Sequence, residues 1–498
     1  MSHSSRPTPG RSGFRFPWQL WALVALFFLR GYFYCRMLPL WEGWDEYAHF
    51  AFLQHWNLER TLPDFGDPIS REIDESLRLA ALPKELDWMG PPYLTHSQWW
   101  ALPAAERADR SRRLASLSPA LAKLPALRPQ VFYEAQQSPL YYWLAAPVLS
   151  LAGDRPIADR VFLVRILSLM LASFTIPLTW LIAREILPGR LALFCPALVA
   201  AAPGFAIATA RIANDTLAIP LAALLVWLVL RRGTHWTLVG AVLGCCLLAK
   251  AYLLPLIPAL LIWWALRRDW RTAARVLALA LSVGGWWYVR NLVLGRTFSG
   301  WLEHATVPAL AAAVFQVDWV DALSVVTKSF IWFGGWSFLT LKSWMYTVIE
   351  LASLAGFALA VRRRHGLVLP VLTVGWFSAA LGYGVLVDET VHKLGNVPGW
   401  YLWAVAPLLA VILTAGLRRW TAAFVTVLAA WDLYGAAALL VPYYSGLVER
   451  NRADGGAFFH GLARLGVSPA PGCLWIAATL AVPAVCLTLC RREARPEV

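Results

Sequence analysis

The heptapeptide Trp44-Asp45-Glu46-Tyr47-Ala48-His49-Phe50 holds the densest chemistry in the chain. Read as a helix, it places Asp45 and His49 on one face at i,i+4 and pairs Glu46 with His49 at i,i+3. Trp44, Tyr47, Ala48 and Ala51 form an adjoining apolar stripe. A carboxylate beside such a stripe loses hydration, which raises its pKa and suits it to general-base work. A solvated helix start, with the acids favouring the N-terminal dipole, competes with that reading. The Glu-x-x-His spacing also suits a divalent metal, but it occurs once. No cofactor is required by the sequence, and a divalent metal stays open as an option.

Three further groups of residues could bind substrate. The segment Tyr133-Glu134-Ala135-Gln136-Gln137-Ser138-Pro139-Leu140-Tyr141-Tyr142-Trp143 sets polar side chains before a proline and aromatics after it. Proline fits the first turn of a helix, so the segment reads as a dip into a bilayer or as an interfacial anchor. Glu134, Gln137 and Tyr141 are its candidate contacts. The turn Arg211-Ile212-Ala213-Asn214-Asp215-Thr216 lies between two apolar blocks. Polar groups at that depth are functional candidates, although Asn214 or Asp215 would also cap the next helix. Lone cations at Arg211, Lys250, Arg290, Lys342 and Lys393 suit a lipid phosphate, with snorkelling as the plainer account. A loop with Glu303-His304 and the aromatic stretch Phe330–Trp336 is dense enough in rings for carbohydrate or lipid contact. No Walker loop, Ser/His/Asp order, Cys pair or dinucleotide fingerprint is present.

The elements that must position these residues are apolar. Of 498 residues 59% are hydrophobic and 15% charged, against about 25% charged in a soluble domain. The blocks are long enough to cross a bilayer, which makes the chain an all-α polytopic membrane protein. The net charge of +14 comes almost wholly from arginine. Nucleic-acid binding does not follow, because the charges fall in short clusters between apolar blocks. The seven cysteines are an odd number without zinc spacing and read as packing residues.

Arg6, Arg11 and Arg15 precede a first apolar run with no small-residue cleavage site, so it reads as an uncleaved span. Later blocks fall near 161–183, 191–210, 216–230, 237–249, 251–266, 276–289, 344–361, 367–387, 400–416, 420–440 and 473–490. If the short block 139–152 does not cross, every basic cluster between blocks lands on the cytoplasmic side. That arrangement gives about 12 transmembrane helices with both termini inside. The chain then divides into 1–35, a cytoplasmic start and first span; 36–160, a long first extracytoplasmic loop with amphipathic juxtamembrane helices over 70–86 and 103–117; 161–290, core spans; 291–343, an extracytoplasmic loop; and 344–498, C-terminal spans. Internal repeats are absent, which weakens inverted-repeat transporter readings.

Taken in order, Asp45-Glu46 with His49, Gln137-Ser138-Pro139-Leu140-Tyr141-Tyr142, Asn214-Asp215, Trp286–Asn291, Phe330–Trp336 and Gly399-Trp400-Tyr401 before a span with Pro407 resemble the GT-C superfamily of polyprenyl-phosphate-dependent glycosyltransferases. The likeness extends to protein O-mannosyltransferases and lipid A aminoarabinose transferases, and is nearest to a bacterial GT-C-like membrane family of unassigned function. The pattern departs from the family at Ser138, where the family tends to have proline, and at Trp400, where it tends to have an arginine for an anion. The resemblance implies a GT-C-like bundle in the bacterial inner membrane with its active site on the extracytoplasmic face. It implies a sugar donor on a polyprenyl phosphate and an envelope glycan, lipid or protein acceptor. Asp45 takes the role of catalytic base and Asp215 of the supporting acid, with Glu46 beside them. His49, Glu134, Gln137, Tyr141, Arg211, Asn214, Lys250, Arg290, Lys342 and Lys393 are expected to bind substrate. Two other readings are a non-enzymatic lipid-linked glycan transporter or flippase and an O-antigen polymerase or ligase.

Overall fold

A computed structural model of the chain describes residues 16–127, 130–300, 305–363 and 366–493. Glu303 and His304 lie outside the described residues, as do Arg6, Arg11, Arg15, Arg364 and Arg495. Apart from two short parallel strands, Ala81–Leu82 and Leu94–Thr95, the described elements are helical.

Length and composition qualify seven helical stretches as membrane spans: Trp18–Met37, Ile157–Ile186, Trp270–Val293, Ser343–Arg362, Val368–His392, Gly399–Tyr444 and Pro469–Leu489. Five shorter apolar helices lie between them: Leu140–Ala152, Gly189–Ala201, Asp215–Leu230, Trp236–Ala249 and Ala251–Leu266. The expected twelve spans would need Gly399–Tyr444 to cross twice and four of the short helices to cross once each. The short helices end where prolines or polar residues interrupt an apolar run. Trp236–Ala249 stops at Lys250, whose backbone is extended at φ −163°. Leu140–Ala152 has 13 residues, roughly 20 Å of helix against a hydrocarbon core of about 30 Å.

The first span packs against the last span and against Ile157–Ser173. A buried ion pair ties this core together. Arg30 donates from Nη2 to Asp432 Oδ2 at 2.9 Å, and Tyr34 Oη donates to Asp432 Oδ1 at 2.6 Å. Trp475 Nε1 of the last span donates to the same carboxylate at 3.2 Å.

The first loop differs from expectation in its helix ends. Helix Arg71–Leu79 begins where Ser70 Oγ accepts from the Ile73 amide at 3.3 Å, but it stops seven residues short of 86. Pro83 disfavours helical backbone just before it, and the chain turns into strand Ala81–Leu82 instead. The second helix spans Ala104–Ala115. Helix Arg71–Leu79 is not a surface element with two solvated faces: Glu72 and Asp74 are fully buried. Glu72 pairs with Arg160, and Asp74 accepts from Arg78 and Tyr93. The segment 291–343, expected as a loop, contains helices Val307–Gln316 and Trp319–Ile331, set at 90°. The break falls at Asp318, whose Oδ1 accepts from the Val320 and Asp321 amides and starts the second helix.

Candidate active site

The loop between the first span and helix Glu46–Glu59 is under backbone constraint. Trp41 and Asp45 both take left-handed conformations, at φ 67° and 55°. Such positions cost about 1–3 kcal/mol each and persist only where surroundings enforce them. Trp41 is fully buried, with Nε1 donating to Ser76 Oγ at 3.0 Å. Between them, a Cβ on Gly43 would come within 2.7 Å of Arg211 Cβ. The missing side chain lets the loop lie directly on the 211–215 turn.

Glu46 provides the clamp. It is fully buried and meets Arg165 through two bonds, Nε to Oε1 at 2.7 Å and Nη2 to Oε2 at 2.5 Å. The same guanidinium donates to the Leu38 and Pro39 carbonyls, each at 2.8 Å. Oε1 also accepts from the Ile212 amide at 3.1 Å. Glu46 therefore joins the first-loop turn, a span and the 211–215 turn.

Asp45 is not on a helical face with His49. It caps the helix in the left-handed region, and its side chain points elsewhere. The Tyr133 hydroxyl donates to Asp45 Oδ1, whereas His49 Nδ1 meets the Tyr142 hydroxyl at 2.7 Å. The reason is geometric: the i,i+4 rule needs helical backbone at both positions. Burial raises the pKa of Asp45, and the Tyr133 hydroxyl and the charges of Arg211 and Lys250 oppose the rise. Burial and the same two cations hold the His49 ring neutral, well below its usual range. Glu134 sits beside this group, with Oε2 buried and without a hydrogen-bond partner among the described residues. Burial, then the Asp45 charge, pushes its carboxyl up to about 8.

Asp215 faces two cations. Lys250 Nζ donates to its Oδ2 at 2.7 Å and Arg211 Nη2 at 3.2 Å. Arg211 also donates to the Trp44 carbonyl at 2.7 Å, next to Asp45, and lies 4.5 Å over the Trp44 ring. Trp400 stacks on Trp44 at 4.3 Å. An aromatic face thus stands where the resemblance leads one to expect an arginine. Asn214 caps nothing with its side chain; its amide donates to Gln137 Oε1 at 2.9 Å, joining the 133–139 segment to the 211–215 turn.

The structure brings together Asp45, Glu134, Gln137, Arg211, Asn214, Asp215 and Lys250. His49 lies within range of the Lys250, Arg211 and Asp215 charges, and the remaining candidates go elsewhere. Tyr141 Oη is buried against Ser168 Oγ at 2.6 Å. Arg290 lies over Trp287 and 3.8 Å from Asp64. Lys342 reaches the Tyr434 ring, and Lys393 is exposed at the end of helix Val368–His392. The five lone cations therefore do not converge: two do. Glu46 and His49 take different partners, and among the described residues no three His, Cys, Asp or Glu side chains gather as a metal site.

Sequence reasoning passed over Tyr133, Trp44 and Trp400 as site residues, and Arg165 as a clamp. An arginine inside an apolar run was the available signal for Arg165. Glu42 was also missed. It is fully buried and accepts from the Tyr444 hydroxyl at 2.8 Å and the Ser337 amide at 2.7 Å, with His96 Nε2 at 2.9 Å.

Residues 136–287 match the family model described as dolichyl-phosphate-mannose-protein mannosyltransferase, a stretch that includes Gln137, Asn214, Asp215 and Lys250. No curated protein matches the chain in sequence. Among solved structures, apo ArnT from Cupriavidus metallidurans is similar at 14% identity and a TM-score of 0.50, covering 95% of this chain and 74% of that one. ArnT from the same organism bound to undecaprenyl phosphate is similar at 13% identity and a TM-score of 0.48, over 95% and 75%. The chain is a multi-pass, predominantly helical membrane protein that shares its fold with ArnT.

Proposed function

We propose that this protein is a membrane glycosyltransferase that moves a sugar from a polyprenyl-phosphate donor to an acceptor hydroxyl on the extracytoplasmic face of the bacterial inner membrane. The observation that carries the reading is the meeting of Asp45, on its constrained turn, with the Arg211–Asp215–Lys250 cluster. A base and a cationic site for a leaving phosphate are the two groups such a transfer needs. The dolichyl-phosphate-mannose description of the matching family supports the donor class.

Asp45 takes the proton from the acceptor hydroxyl as its oxygen bonds to the anomeric carbon. The bond from that carbon to the phosphate oxygen breaks, and the lipid phosphate leaves with the electron pair. A single displacement inverts the anomeric centre. Lys250 and Arg211 meet the charge growing on the phosphate. Asp215 holds both cations in place and offsets one of their charges, which relieves their mutual repulsion. Tyr133 aims the Asp45 carboxylate.

The test works whichever sugar is transferred. Envelope glycans from a deletion strain are compared by mass spectrometry with those from strains carrying the wild-type gene or Asp45→Asn. The deletion should lose a glycan species, the wild-type gene should restore it, and a normally inserted Asp45→Asn protein should not. Full restoration by Asp45→Asn would remove Asp45 as the base.

A further inference from the structure

A groove of about 550 Å³ lies apart from the Asp45 cluster, at the same end of the bundle. Three arginines from separate parts of the chain line it. Arg36 comes from the last turn of the first span, Arg107 from helix Ala104–Ala115, and Arg464 from the end of helix Phe458–Arg464. Among the described residues no aspartate or glutamate lines it, and its floor is apolar, with Leu38, Leu79 and Leu465.

The arginines are not loose in position. The Trp100 ring has Arg107 at 5.0 Å and Arg464 at 4.6 Å, and its Nε1 donates to the Tyr444 carbonyl at 2.9 Å. Arg36 lies over Phe162 at 4.9 Å. Ring contacts, joined for Arg107 by the Trp100 and Leu102 carbonyls, fix the cations but do not neutralise them. The contrast with Arg211 and Lys250 is direct, since those two share a carboxylate. Converging cations without a counter-charge repel one another, and charge-assisted bonds to phosphate oxygens would reverse the sign.

Depth points to the kind of anion. Arg36 is one residue from the end of the first span, and Arg464 is five residues before Pro469 begins the last. Those two spans pack together, so the groove opens at the height of lipid headgroups.

We propose that this groove binds the phosphate-bearing headgroup of an anionic lipid. The guanidinium groups hold the phosphate oxygens, and the apolar floor takes the first methylenes of the chain. The phosphate could belong to a glycerophospholipid or to a polyprenyl lipid. The site does not depend on the glycosyl-transfer reading.

The test is lipid binding to the purified full-length protein in non-ionic detergent, followed by native mass spectrometry. Phosphatidylglycerol, farnesyl phosphate and phosphatidylcholine are the probes. The anionic lipids should bind at least tenfold more tightly than phosphatidylcholine. Arg36→Gln with Arg464→Gln should remove that preference. Ser111→Glu, which keeps every arginine and adds a carboxylate to the lining, should remove it too. Binding of phosphatidylglycerol that farnesyl phosphate does not displace assigns the groove to a phospholipid; displacement assigns it to a polyprenyl phosphate. Equal binding of phosphatidylcholine, or unchanged preference in both variants, overturns the proposal. The readout involves no turnover, so loss of lipid binding with intact glycan transfer, or the reverse, separates this site from the catalytic one.

Discussion

Two of the buried groups of charges in this molecule are built to opposite standards. The Arg30–Asp432 pair lies within the bundle. Asp432 accepts from Arg30, Tyr34, Trp475 and Thr479, while Arg30 also reaches the carbonyls of Ala200 and Ala201. The cluster around Asp45 and Asp215 leaves Trp44 Nε1, Glu134 Oε2 and Asn214 Oδ1 buried without partners among the described residues. Buried polar groups are nearly always satisfied unless they serve something other than the fold. The first group is a lock between spans. The second has hydrogen-bonding capacity that the protein itself does not use.

The comparison predicts different failures. Asp45→Asn should cut sugar transfer by about 10²–10⁴-fold and leave the unfolding temperature in detergent near wild type, because its loss strands no buried cation. A collapse in stability without selective loss of transfer would move Asp45 into the structural class. Asp432→Asn should do the reverse. Leaving Arg30 uncompensated at 0% exposure costs about 3–5 kcal/mol, read as a drop in unfolding temperature and in membrane yield. The double change Arg30→Met with Asp432→Leu should recover only part of that loss, since it removes the stranded charge but leaves the buried Tyr34 hydroxyl and Trp475 indole N–H without their acceptor.

Much of the candidate site was legible before the fold was known. The acid couplet, the Asn214-Asp215 turn and Glu134 announce themselves as polar residues between apolar runs, and that is a local property. What was not legible is which charge meets which. Arg30 and Asp432 are 402 residues apart, and Glu46 finds Arg165 at a separation of 119. Composition and periodicity say that a buried charge needs a partner without naming one. The Asp45–His49 pairing failed for a subtler reason. Helical spacing was assumed through a residue that the loop holds in the left-handed region. The same limit separates Tyr133 from Tyr141, since Tyr133 lies in a short 3₁₀ turn before Pro139, where no helical-face rule applies.

Within the Asp215 cluster, Lys250 and Arg211 share one carboxylate but differ in what else holds them. Arg211 also donates to the Ala208 and Trp44 carbonyls, so its replacement would loosen the loop that carries Asp45. Lys250 is bonded to Asp215 and is the cleaner probe of charge. Lys250→Met should slow transfer by about 10²-fold, the usual cost of losing one donor to a developing oxyanion. If Lys250 instead binds the donor phosphate equally in the ground and transition states, the slowing should vanish at saturating donor and appear only in KM.

The smallest effect is the most diagnostic of how the cluster handles protons. Asp45 must be ionised to act, and burial raises its pKa. Transfer should therefore fall as pH drops through a midpoint above the ordinary aspartate range. Glu134, pushed up to about 8, is a neutral acid at pH 7 and ionises above that value. Its new charge then opposes the anionic donor and raises the Asp45 pKa further. Wild-type transfer should thus decline several-fold as pH rises past about 8, giving a bell-shaped profile whose limbs belong to the coupled pair. Glu134→Gln keeps the shape and removes the titration. The alkaline limb should flatten in this variant, while the rate at pH 7 stays within a few-fold of wild type. An unchanged alkaline limb would place that ionisation on another group, and a large loss at pH 7 would show that the Glu134 carboxyl, rather than its charge, takes part in transfer.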